Sequence, residues 1–335
     1  MGRKGERVKG DTNLLKFTVA VYLRKSAKFA KCFFSPSPHL PISPSSFLPI
    51  SPSPFLSCAF ALILFSSVSA QKIAVIAPEK NGRSEVFVEK LADSLSEKFK
   101  VLDSSLSETA FRAADFEKPF NLTTVEAKTV ASAIGCDYFL LVKAQNLRRA
   151  SLSKAENYES YAAVFVVSSR TGRLIFWKLQ RAEAETPAKT DRELLASTEN
   201  LSAEIFEKIK TLGKDELTEK PPQNIAELPD ENSLEAKNFR PPLPYLRIKP
   251  EYTSTAYLYG IEATVDIEIE VSETGKILKT EIVRWAGYGL DESVTETILK
   301  MQWRPADRNG KTLPMRVLLR YNFKKVEKEE YESQE

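Results

Sequence analysis

The chain has 335 residues, with 48 Lys and Arg against 45 Asp and Glu for a formal charge of +3. That length leaves room for about two domains. Acids and bases interleave from residue 71 onward without a basic face, which speaks against nucleic acid as a partner.

Residues 1–70 differ from the rest. Residues 1–31 are basic, and no charged residue follows until Lys72. Between them, FSPSPHLP, ISPSSFLP and ISPSPFLS repeat with a period of eight from Phe34 to Ser57, too rich in proline for helix or sheet. The apolar run FLSCAFALILFSSVSA then ends in Val68-Ser69-Ala70, small at the places signal peptidase reads. Cleavage between Ala70 and Gln71 is the expectation. An uncleaved inner-membrane anchor is the alternative, although about 20 apolar residues are normally needed to span and this run is shorter. Cleavage would remove Cys32, Cys58 and His39, leaving Cys136 as the one cysteine and no histidine. That excludes a His-based triad, a His metal site and an internal disulfide. The expectation is a non-enzyme with no catalytic residue, no metal and no cofactor.

From residue 71 to about 213 the pattern predicts one α/β domain. KIAVIA (Lys72 to Ala77) reads as a buried strand, and Phe87, Leu91, Leu95 and Phe99 line one face of a helix. FKVLD is a second strand. Thr123 with Glu126 forms a capping box, and Gly135 is placed to end that helix. CDYFLLVKAQ, YAAVFVVSS and RLIFWKLQ are strands, the last two joined by the tight turn SRTG, and a helix carrying Leu194, Leu201, Ile205 and Ile209 closes the unit near Gly213. The result is a mixed α/β sandwich. In its order of elements and in IAVIAP, FKVLD and AIGCDYFLLVKA it resembles the N-terminal domain of TolB and CsgG-type envelope domains. Residues 214–243, charged and Pro-rich, read as an extended linker. The sequons at Asn121 and Asn200 matter only in a eukaryotic secretory host.

Residues 244–325 predict β-β-α-β, followed by a charged tail at 326–335, for an α+β chain as a whole. In IEATVDIEIEV, residues Ile261, Ala263, Val265, Ile267, Ile269 and Val271 alternate with polar ones, giving one buried and one wet face. Asp266 and Glu268 read as solvated strand-face charges, as does Asp137 in the first domain. SETG turns into a second strand. Leu290, Val294, Ile298 and Met301 mark a helix with Asp291 as its expected N-cap and Trp303 at its end. Pro305 stops it, Asn309-Gly310 turns, and MRVLLRYNF is the last strand. On that strand Met315, Val317, Leu319, Tyr321 and Phe323 face inward, leaving Arg316, Leu318, Arg320 and Asn322 outward to contact a partner strand.

Lys249-Pro250, Gly275-Lys276-Ile277, Gly289-Leu290-Asp291, Trp303-Arg304-Pro305-Ala306, Gly310 and Phe323 together resemble the TonB C-terminal domain. In that family an aromatic-x-Pro-Ala unit closes the helix, a Gly turn leads to the final strand and Phe ends it. Trp303, Pro305, Gly310 and Phe323 stand in those places here. The resemblance implies a periplasmic, cell-envelope protein that binds partner strands by β-augmentation. The implied partners are plug segments of outer-membrane transporters or other periplasmic proteins, with a homodimer also compatible, and the implied role is energy transduction. Three departures stand against full equivalence. The apolar run lacks the His that family anchors carry, a folded domain occupies the place of the disordered linker, and Lys249-Pro250 replaces the usual Tyr-Pro. A non-energised periplasmic or secreted scaffold is the alternative.

Overall fold

In the computed structural model, which describes residues 71–149, 157–218 and 238–325, the apolar run at residue 72 pairs on both of its edges. β1 (Lys72–Ile76) lies parallel to β2 (Lys100–Val101) on one side and to β3 (Tyr138–Arg149) on the other; β4 (Asn157–Ser168) and β5 (Leu174–Ala184) continue the sheet antiparallel. The order is β2-β1-β3-β4-β5. Side chains alternate between the two faces, so both must be covered. Ile73, Val75, Leu140, Val142, Val164 and Val166 pack against α1 (Gly82–Ser96), α4 (Pro187–Ala196) and α5 (Thr198–Thr218). Ala74, Ile76, Phe139, Leu141 and Phe165 face α2 (Ser104–Arg112) and α3 (Thr124–Ile134).

Local chemistry sets these ends. Thr123 and Glu126 form the reciprocal capping box of α3, and Gly135 caps it in the left-handed region. Two elements differ from the sequence expectation. α2 is mostly polar and buries only Ser107 and Phe111, so its periodicity was too weak to read, although Asp103 caps it. The closing helix is two helices, broken at Ser197, and the second runs past Gly213 to Thr218. The run ending at Ala70 and residues 219–237 of the expected linker lie outside the described residues.

The second half holds β6 (Phe239–Arg240), β7 (Leu243–Pro244), α6 (Ser254–Leu258), β8 (Ala263–Val271), β9 (Ile277–Arg284), α7 (Leu290–Lys300), β10 (Trp303–Arg304), β11 (Ala306–Arg308), β12 (Lys311–Leu313) and β13 (Met315–Phe323). Its main sheet runs β13-β8-β9, with Val265, Ile267 and Ile269 buried against Leu290, Val294 and Ile298 of α7. The β-β-α-β core is therefore present, with small additions. β11 and β12 form a hairpin of their own around Asn309-Gly310, whose φ values of 55° and 81° suit a two-residue turn of type I′, rather than leading straight into the last strand. β6 pairs with β11 and β7 with β10, so residues at the end of the expected linker join the fold.

Two expectations for α7 are corrected. The helix stops at Lys300, with Met301 extended, and Trp303 belongs to β10, where Arg304 and Trp303 pair with Leu243 and Pro244. Asp291 is not the N-cap. Gly289 holds that place at φ 77° without a side-chain bond, while the Asp291 carboxylate turns back to accept N–H bonds from Ala286 (2.9 Å) and Gly287 (2.8 Å). Burial pushes its pKa from 3.8 up to about 7, with the two backbone donors opposing the rise. A carboxyl raised in the folded state contributes stability that is full below pH 3.8 and is lost as pH climbs to about 7. Asp291→Asn should therefore raise the melting temperature at pH 8 and have its smallest effect below pH 3.8; thermal melts on both sides of the window check this.

All described residues lie in one compact unit, and one apolar cluster runs from the α2/α3 face of the first sheet into the β8/α7 layer of the second. Trp285, 1% exposed, is the joint. Its ring lies 5.8 Å from Phe165, its indole N–H donates to the Gly172 carbonyl at 3.3 Å and its backbone N–H donates to the Leu122 carbonyl at 3.3 Å. Asn121 beside it is 5% exposed and donates from Nδ2 to the Thr264 carbonyl (2.8 Å) and the Trp285 carbonyl (2.7 Å), while its Oδ1 accepts from the Thr264 N–H (2.9 Å). Arg173 pairs with Glu281 at 2.6 Å, and the Tyr259 hydroxyl donates to Glu159, itself 2% exposed.

Candidate functional site: an open strand edge beside a proline-lined groove

β13 pairs in register with β8 over all nine residues, from Met315 opposite Val271 to Phe323 opposite Ala263. Among the described strands it is the outer one of its sheet, with β8 as its one strand neighbour, and an outer strand is a template for pairing with another chain. Residues 241–250 run beside it as PPLPYLRIKP. Four of these ten are proline, which has no N–H to donate and pairs poorly as a strand, and the segment lines one groove together with β13.

Between them lies a groove of about 170 Å³. Met301, Trp303, Leu318, Leu319 and Tyr321 supply much of its apolar lining, with Leu243 and Ile248 on the other side. Its charged lining groups are Arg247, Lys249 and Arg320, with no Asp or Glu. Tyr245 and Leu246, next to it in sequence, are each 71% exposed, large apolar surface that a soluble protein normally covers. Burial pushes the Tyr321 hydroxyl up to about 12, with Arg247 pulling the other way, so it stays a neutral donor at physiological pH.

Trp303 is 3% exposed, and its indole N–H finds no acceptor among the described residues. Its backbone is fixed from behind by the β8–β9 turn. Gly275 has φ 81°, and a Cβ there would stand 2.1 Å from the Trp303 carbonyl oxygen, so only glycine fits. Pro305 packs on the same glycine. Gly310 closes the β11–β12 turn, donating its N–H to Asp307, and Phe323 is buried and stacks on Tyr252 with ring centroids 6.1 Å apart.

The four expected partner-binding residues separate into two kinds. Leu318 lines the groove, and Asn322 is exposed, its Oδ1 accepting from the Thr264 hydroxyl. Arg316 and Arg320 are engaged inside the sheet. Arg316 donates to Glu270 at 2.6 Å, and Arg320 donates twice to Asp266, at 2.7 and 2.8 Å. Asp266, read from sequence as solvated, is 2% exposed and also binds Arg284 at 3.3 Å. The face expected to be wet is thus crossed by ion pairs, with Asp266 and Glu270 withdrawn from water and Glu268 half-buried. Sequence reasoning missed Tyr245 to Lys249; the apolar and basic residues among four prolines were the available signal.

These groups offer no acid–base or nucleophilic constellation. They offer an outer strand with one neighbour among the described strands and an apolar groove beside it, which suit an added strand.

The model of the Gram-negative bacterial TonB protein C-terminal family matches residues 248–324. No curated protein matches the chain. Among solved structures, the chain is similar to the TonB C-terminal domain of Pseudomonas aeruginosa, at 20% identity over 32% of this chain and 98% of that one, with a TM-score of 0.24. It is also similar to the lipoprotein GNA1162 of Neisseria meningitidis (14% identity, 40% of this chain and 99% of that one, TM-score 0.29). A third is the hypothetical protein CT253 of Chlamydia trachomatis (13% identity, 40% and 98%, TM-score 0.28). The β-β-α-β order, the Trp303-x-Pro305-Ala306 unit, the Gly310 turn and the terminal Phe323 all fall within the matched span, and residues 248–324 are a domain of the TonB C-terminal family.

Proposed function

We propose that this is a cell-envelope protein that binds an extended segment of a partner by adding it as a strand to the open edge of β13. The observation that carries the reading is the place of β13 as an outer strand with β8 as its one neighbour among the described strands, beside a proline-rich segment and an apolar groove that Trp303 and Leu318 line. Family membership of residues 248–324 supports an envelope location. Among the described residues no helix is long and apolar enough to cross a membrane. Because the groove's charged lining is wholly basic, the segment it favours alternates apolar with acidic side chains.

Leu318→Thr tests this, because it places a β-branched strand former there while removing apolar contact. Leu318→Glu would not serve, since Glu268 stands directly opposite and like charges across a pair destabilise the sheet itself. A blocked nine-residue peptide alternating Val and Glu should bind the native chain, and the Thr variant should bind about tenfold more weakly, on the order of 1.4 kcal/mol. Its melting temperature should be nearly unchanged. Equal affinity for both proteins would mean that partners use another surface.

Energy transduction to outer-membrane transporters is the extended form of this proposal. The shared core favours the second reading, a non-energised scaffold, because it packs the TonB-type domain onto the α2/α3 face of the first sheet. Co-isolation with an inner-membrane motor complex would decide for transduction.

A further inference from the structure

Apart from β13, two long outer strands face a common cleft. Among the described strands β5 ends the five-stranded sheet beside β4, and β9 ends the three-stranded one beside β8, with its last residue, Arg284, also bridged to Thr123. The start of β5, residues 173–177, forms one wall; residues 279–282 of β9 form another, and the first turns of α7 close it. The cleft holds about 510 Å³, within the ~300–1,000 Å³ range of ligand sites. Nothing in the β13 reading uses it.

Its charge is opposite in sign to that of the β13 groove. Arg173 and Lys279 both engage Glu281, at 2.6 and 3.0 Å. Burial opposes ionisation of Glu281, but hydrogen bonds from those two cations outweigh it and hold the carboxyl below its usual range. Asp291 is occupied by its backbone donors. Glu292 and Glu296 remain, one turn apart and exposed, and the partner of Glu296 is the equally exposed Lys300 at 3.6 Å. The wall therefore presents carboxylates to any occupant.

The β5 wall has an unmet donor. Trp177 packs on Tyr288 with centroids 4.9 Å apart and on Phe165 at 6.5 Å, and its buried indole N–H has no acceptor among the described residues. The ring is held in place before any ligand arrives. Leu174, Ile175 and Phe176 beside it are half-buried apolar residues on an edge with no second strand among the described residues, an arrangement that proteins normally cover or break with charge.

We infer that this cleft takes an extended, basic segment of a partner protein, paired along the open edge of β5 with Lys or Arg side chains directed at Glu292 and Glu296. A backbone is required because the edge presents donors and acceptors at the strand repeat, which a small cation would leave unmet. A basic one is favoured because the lining carboxyl groups, Glu281, Asp291, Glu292 and Glu296, outnumber its cations, Arg173 and Lys279.

The test is a titration of the purified full chain, followed by tryptophan emission, with two blocked nine-residue peptides alternating Val with Lys or Val with Glu. Trp177 and Trp285 line the cleft, so emission reports its filling. The Lys peptide should bind saturably, and Glu292→Lys with Glu296→Lys should weaken it at least tenfold. Leu318→Thr, at the other edge, should leave its affinity unchanged. If the reversed pair lowers the melting temperature, the Glu292→Gln, Glu296→Gln pair carries the same comparison, with a loss of several-fold. Absence of saturable binding, indifference to these charges, or loss of Lys-peptide affinity in Leu318→Thr would each overturn the inference. Failure of the Glu peptide at β13 would not.

Discussion

Trp285→Ala should cost about 3–5 kcal/mol, the range for truncating a buried aromatic. Its side chain is 1% exposed in the apolar cluster that both halves share, so the surroundings have little freedom to collapse into the space. The change also strips the Gly172 carbonyl of its indole donor and loosens the ring contact with Phe165. Because the cluster is continuous, the loss should appear as one transition shifted as a whole. Denaturant curves followed by far-ultraviolet circular dichroism and by the emission of the two remaining tryptophans, Trp177 in the first half and Trp303 in the second, should coincide. A loss below about 1 kcal/mol, small for any core truncation, or two separated transitions would show that the halves merely touch.

Arg320→Met should be nearly as damaging. Arg320 gives Asp266 two hydrogen bonds, and without it a carboxylate 2% exposed keeps only Arg284 at 3.3 Å. Removing one partner of a buried pair typically costs ~3–5 kcal/mol, and the remaining arginine places this case near the lower end, at about 3. The cost arises mainly from the stranded charge. Asp266→Leu combined with Arg320→Met should therefore recover most of the stability, since apolar residues of similar volume often replace a buried pair without loss. If the double variant is no more stable than the single one, the arginine contributes through its packing instead. Either result bears on strand binding, because Arg320 lines the β13 groove and cannot be altered there without disturbing the sheet.

The sequence was most informative where a periodic pattern meets a two-sided environment. The alternation in β8, the 290–294–298 face of α7, and the capping box at Thr123 with its glycine terminator were all legible, because each is a local rule repeated over neighbouring residues. The final strand and its inward set were legible for the same reason. The joint was not. Asn121, Trp285 and Arg284 meet across more than 140 residues of sequence, and no spacing announces that a lone asparagine will satisfy three backbone groups. Asp266 misled because alternation gives only the face of a residue, and that face was closed by arginines from both flanking strands. Two-residue strands such as β7 and β10 carry no period at all, so the sequence pattern around Trp303 points to a helix end and hides its pairing with Pro244.

The shared core also sets the order of events during synthesis. The first sheet and its helices are complete at Thr218, yet the α2/α3 face acquires its cover only when β8, α7 and β13 have emerged, roughly a hundred residues later. At ~5–20 residues per second that face waits on the order of 5–20 s with Phe165 and Leu122 open to water. A nascent chain of this design should need a holding chaperone during that interval, and products truncated before Leu290 should aggregate rather than accumulate as a soluble first domain.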